Sequence, residues 1–75
     1  MREFKMKSGM IIEVGETYRF ADLWSGSGDE QELLDSGAIW IGNDENGMPI
    51  IAEFEIVEED KENIIYSLVK ITGIA

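Results

Sequence analysis

Residues 50–57 place Ile50, Ala52, Phe54 and Ile56 at every second position, with Glu53 and Glu55 between them. A period of two puts the four apolar side chains on one face of an extended chain, whereas a helical face recurs every 3.6 residues. The segment therefore commits the chain to a sheet. A strand needs partners, since even an isolated hairpin is marginal in water. The remainder of the 75 residues has the composition to supply them: eleven isoleucines stand against four leucines. A β-branched side chain loses χ1 freedom in a helix and packs well on a pleated surface.

The first partner pair is a hairpin whose register follows from its turn. Lys7-Ser8-Gly9 fits a three-residue loop closed by a left-handed glycine, which pairs Met6 with Met10 and Phe4 with Ile12. Phe4, Met6, Met10, Ile12 and Val14 then share a face. A two-residue Ser8-Gly9 loop would instead set Lys5 opposite Ile12, and a one-residue slip turns a strand's apolar side chains outward. Gly15-Glu16 reads as a turn, and residues 17–21 as a third strand in which Tyr18 and Phe20 alternate with Thr17 and Arg19. Trp24-Ser25-Gly26-Ser27-Gly28 is loop chemistry. Ser27 with Glu30 matches a capping box ahead of a helix over 29–35, which Gly37 stops.

Residues 38–41 form a short strand, Asn43-Asp44-Glu45-Asn46-Gly47 a turn, and residues 50–57 the strand already described. Glu58-Glu59-Asp60-Lys61-Glu62-Asn63 is an exposed loop leading to a last strand over 64–72. Pairing Val57 with Ile64 gives a core face of Ile50, Ala52, Phe54, Ile56, Ile65, Ser67, Val69 and Ile71. It places Lys70 close to Glu53. The opposite face carries Ile51, Glu53, Glu55, Val57, Ile64, Tyr66, Leu68 and Lys70, half apolar and half charged. Either the rest of the chain covers its apolar end or a partner does. The expected fold is mostly β, a single domain over 1–75 with one short helix and about six short strands in a small antiparallel barrel or sandwich.

The chain contains no cysteine and no histidine. Disulfides, thiolate and imidazole metal sites are thereby ruled out. Ser8, Ser25, Ser27, Ser36 and Ser67 have no histidine to activate them. Gly26-Ser27-Gly28 lacks the pattern of a nucleophile elbow, a phosphate loop or a dinucleotide fingerprint. Counted from Asp44, an EF-hand loop would need a ligand at position five, where Met48 stands. The expectation is a protein without enzymatic activity, cofactor or metal site. No segment approaches the ~18 apolar residues of a membrane span, and the N-terminus lacks the apolar stretch of a signal peptide, so a cytoplasmic location is expected.

Sixteen acids against six bases give a net charge of −10 at pH 7. Thirteen of the acids fall after residue 20, against only Lys61 and Lys70. Such a surface repels nucleic acid and anionic lipid and attracts basic proteins; it also keeps a small protein dispersed. In composition alone the chain is similar to small acidic inhibitors of phage and mobile elements, a resemblance that covers no motif. The leading expectation is a binding protein, an inhibitor or nucleic-acid mimic, that presents an acidic surface to a basic site on a larger, nucleic-acid-binding protein. Glu53, Glu55, Glu58, Glu59, Asp60 and Glu62 would carry the charge, with Tyr66 and Leu68 as apolar anchors. The alternatives are an assembly module or homo-oligomer whose charge serves solubility, and a small-ligand binder using the Trp24 loop. Trp24 and Trp40 are otherwise read as packing residues.

Overall fold

A computed structural model describes residues 3–6, 9–24, 26 and 28–75. Among the described residues, six antiparallel strands form two sheets, and the chain is mostly β with one helix of about two turns, as the periodicity predicts. The strands are β1 (Glu3–Lys5), β2 (Ile11–Glu13), β3 (Thr17–Arg19), β4 (Ala38–Asn43), β5 (Pro49–Glu58) and β6 (Leu68–Ile74). The helical elements are α1 (Phe20–Leu23), α2 (Glu30–Ser36) and a 3-10 turn over Ile64–Tyr66. β1 and β2 form a two-stranded sheet; the other four strands run in the order β3-β6-β5-β4 and curl into a half-barrel.

The first hairpin has the expected register. Phe4 lies opposite Ile12, the Met6 N–H donates to the Met10 carbonyl at 2.8 Å, and Gly9 has φ 94°. Lys7 and Ser8 of its turn lie outside the described residues. Phe4, Met6, Met10 and Val14 pack against buried Ile12 and the core, so the five residues assigned to one face do share it. The next turn uses Gly15, with φ 94°, and its N–H donates to the Ile71 carbonyl at 2.8 Å. This bond ties the hairpin to β6.

The core comprises Ile12, Phe20, Leu23, Leu34, Ile39, Ile41, Ala52, Phe54, Val69, Ile71 and Ile74. It fills the space between the curled sheet, the hairpin and the helices. The third strand is shorter than its alternation suggests. After Arg19 the chain turns helical, and the Trp24 N–H closes that turn on the Phe20 carbonyl at 2.9 Å. The turn buries both Phe20 and Leu23, three residues apart on one helical face. A strand continuing past Phe20 would have sent Leu23 to the opposite side. The Ser27 cap lies outside the described residues; the cap of α2 is Asp29, whose carboxylate accepts from the N–H groups of Gln31 and Glu32. Gly37 ends α2 in the left-handed region at φ 75°, as expected.

The last hairpin departs from its expected register by four residues over Phe54–Ile56 and by five on either side, where the pairing slips. Ile56 pairs with Val69, not with Ile65, and Lys70 stands opposite Glu55 rather than beside Glu53. An even shift preserves the face of each side chain, and the slips at Glu53/Phe54 and Ile56/Glu58 take up the odd residue. Ala52, Phe54, Ser67, Val69 and Ile71 are therefore still buried. The shift arises because residues 64–66 form the 3-10 turn instead of strand. Ile64 and Ile65 are consecutive and both pack against the core; a strand would expose one of them. Ile56 is the exception on the expected core face, at 40% exposed. It lies where the pairing slips, between Ile56 and Glu58, and such an irregularity turns the strand's end away from the layer beneath.

Ser67 is the one buried polar residue among those described, at 1% exposure. Its Oγ accepts from the Asp60 N–H at 2.9 Å. Ser67→Ala is expected to cost about 1–3 kcal/mol, because it strands a partly buried donor as well as losing a hydrogen bond. Urea unfolding measures this directly, and a midpoint equal to the parent's would show that water replaces the hydroxyl.

Candidate functional site

The loop after β5 is held in shape by one aspartate. Asp60 accepts through Oδ1 from the N–H groups of Glu62 and Asn63, at 3.1 and 3.0 Å, while its own N–H is anchored on Ser67. The Tyr66 N–H then donates to the Asn63 carbonyl at 2.9 Å, and the Ser67 N–H to that of Ile64 at 3.1 Å. An aspartate that bonds the backbone two and three residues on is a turn former of the Asx kind. These bonds turn a highly charged hexapeptide into an ordered rim.

Beneath the rim lies a cross-strand row. Leu68 of β6 pairs with Arg19 of β3 on one side and Glu58 of β5 on the other. Together they form an open groove of about 540 Å³, lined by Arg19, Glu58, Glu59, Asp60, Lys61, Glu62, Tyr66 and Leu68. Six of the eight residues assigned from sequence meet here: Glu58, Glu59, Asp60, Glu62, Tyr66 and Leu68. Tyr66 is 46% exposed and Leu68 half-buried, so both offer apolar surface. Glu53 and Glu55 do not line the groove. Both are exposed on β5, where Glu55 stands opposite Lys70 and Glu53 opposite Gly73.

Sequence reasoning missed Arg19 and Lys61. The Arg19 guanidinium sits over the Tyr66 ring, 5.9 Å from its centroid, a cation–π arrangement that braces the ring. Alternation with Tyr18 and Phe20 marks Arg19 as outward-facing. Only the β3–β6 pairing brings it to the acidic loop. Lys61 belongs to the loop itself and lowers the local charge: the groove holds four carboxylates against two cations. Among the described residues no group of three or more carboxylates is arranged to hold a metal ion, and no helix is long and apolar enough to cross a membrane.

The tryptophans divide. Trp24 is half-buried and packs against the core, as expected, and lines neither groove described here. Trp40 is not a packing residue in that sense: it is 47% exposed, and its indole N–H donates to Asn43 Oδ1 at 3.0 Å. Ile39 and Ile41 on either side of it are buried, so strand alternation directs Trp40 outward. It lines a second groove, of about 550 Å³, with Phe4, Lys5, Met6, Ile41, Gly42 and Asn43. No protein-family model, no curated protein sequence and no solved structure matches the chain.

Proposed function

We propose that this chain is a non-enzymatic binding protein that presents the Glu58–Glu62 rim and the Tyr66–Leu68 floor to a basic site on a larger protein. The observation that carries the reading is the convergence of four carboxylates around an exposed aromatic ring on an ordered loop. Carboxylates spaced along such a rim meet lysine and arginine side chains much as backbone phosphates do, so the favoured partner is a nucleic-acid-binding protein and the favoured role inhibition by mimicry. The net charge of −10 extends the attraction beyond the contact. Arg19 and Lys61 add selectivity, because a uniformly cationic patch meets like charge at two points.

The rim and the ring have separable effects on binding to a basic protein captured at low ionic strength. Replacing Glu58, Glu59 and Glu62 with glutamine is expected to slow association by about tenfold or more, and the difference should shrink as salt rises. Tyr66→Ala should leave association nearly unchanged and speed dissociation, since buried aromatic anchors govern residence time. Stopped-flow or surface-based kinetics resolves the two. If neither substitution alters either rate, the groove is not the site. A stable oligomer in light scattering, with no basic protein captured, would favour the assembly reading instead.

A further inference from the structure

The second groove is walled by strand edges. A sheet face contributes alternate residues, yet here three consecutive residues come from β1 and its end, Phe4, Lys5 and Met6, and four from β4, Trp40 to Asn43. Each strand has its backbone paired on one side only: β1 with β2, and β4 with β5. The free groups follow from the ladder pattern. Met6 bonds Met10, which makes Phe4 and Ile12 the next bonded pair and turns the Lys5 N–H and C=O away from β2. Likewise the Phe54 N–H donates to the Gly37 carbonyl at 2.8 Å, so Ile39 bonds Ala52 and Trp40 does not bond Ile51. Ile51 spends both backbone groups on Ala75 of the β6 end, at 3.0 and 2.9 Å. The Trp40 N–H and C=O therefore face away from the sheet. Among the described residues no hydrogen bond joins β1 to β4.

From this we infer that the β1–β4 groove is a slot for one extended peptide segment of another protein, bound by strand addition. The occupant pairs through its backbone with Lys5 on one side and Trp40 on the other, and lays apolar side chains on Phe4, Met6 and Trp40. Open edges are usually blunted by lysine, proline, charge or a bulge; β4, reading Ala38-Ile39-Trp40-Ile41-Gly42-Asn43, carries no charged residue or proline, and its bulge at Ile41 lies beyond Trp40. Lys5 is the one charged residue lining the slot, in a chain otherwise rich in carboxylates, so the segment carries an acidic residue beside it. A second copy of this chain is a poor occupant. It brings a charge of −10 toward another −10, and its edge strands arrive with a sheet attached.

The test uses random octapeptides displayed on phage and selected on the intact protein. Selected peptides should alternate apolar residues with at least one acid. Lys5→Pro removes an outward N–H that makes no bond in the fold, a position where edge strands tolerate proline. It should weaken the selected peptides by about tenfold or more, whereas Lys5→Gln, which loses the charge but keeps the N–H and most of the stem, should weaken them by about threefold or less. Should Lys5→Pro disturb the hairpin, hydrogen exchange of the parent decides: a bound peptide must slow exchange of the Lys5 and Trp40 amides. Recovery of no peptide, equal binding to Lys5→Pro, or unchanged exchange at both amides overturns the proposal. Peptides selected here should bind a Glu58, Glu59 and Glu62 triple glutamine variant as well as the parent, which separates this slot from the acidic groove.

Discussion

Phe54→Ala is expected to lower stability by about 3–5 kcal/mol, a large share of the total for a domain this small. Phe54 sits on the middle of β5 at 6% exposure, and its ring meets that of Phe20 with centroids 6.0 Å apart and planes tilted by 60°. Truncation leaves a cavity that cannot collapse easily. The β5 backbone on either side is fixed by β4 and β6, and Phe20 is fixed by the α1 turn and by its N–H bond to the Ser67 carbonyl at 2.9 Å. Tilted aromatic pairs contribute about 0.5–1.5 kcal/mol beyond burial. The double variant with Phe20→Ala should therefore be less destabilised than the sum of the two single variants. Denaturant unfolding of all three measures it, and a cost below about 1 kcal/mol for Phe54→Ala would show that the core closes elsewhere.

The second large effect is expected at Gly42. It follows a β-bulge at Ile41, has φ 146°, and a side chain there would place its Cβ 3.3 Å from two carbons of the Phe4 ring. Gly42→Val meets both obstacles. Backbone strain alone is worth about 1–3 kcal/mol, and the valine must also push Phe4, and with it the first hairpin, off the core. Gly47→Val is the control, since Gly47 also has positive φ, at 82°, but open space around it. The difference between their thermal midpoints reports the packing of Phe4 on Gly42 together with the greater backbone strain at φ 146°. Equal losses would mean that the hairpin gives way without cost, and that the contact of the Phe4 ring with Gly42 is not part of what holds the fold together.

The two positions differ in how visible they are from sequence. Phe54 announces itself through alternation with Ala52 and Ile56. Gly42 does not, because its requirement comes from a ring 38 positions earlier in the chain. The candidate groove divides the same way. Its acids and Tyr66 are evident as a charged loop followed by an aromatic residue, whereas Arg19 arrives from β3 and braces Tyr66 only after β3 and β6 pair. Glu53 and Glu55 show the converse. Their outward orientation is correct, but the expected register placed them among groove residues that the actual register sets further along the sheet.

What the sequence determined by itself is what local periodicity and turn chemistry control. The in-out pattern of β5, the Phe4–Ile12 hairpin, the glycine stop of α2 and the exposure of the Glu58–Glu62 loop all rest on residues within a few positions of one another. Which strands stand next to which was decided only by tertiary structure. Two adjacent isoleucines, Ile64 and Ile65, lie closer to the core as a 3-10 turn than as strand, and that preference moved the β5–β6 register by four residues. Over Phe54–Ile56 the shift is even and leaves those side chains on their own faces, so alternation along β5 alone could not distinguish the two registers. The Asp60–Ser67 bond accompanies the observed register, and like the pairing of β3 with β6 it joins residues whose proximity no local pattern encodes.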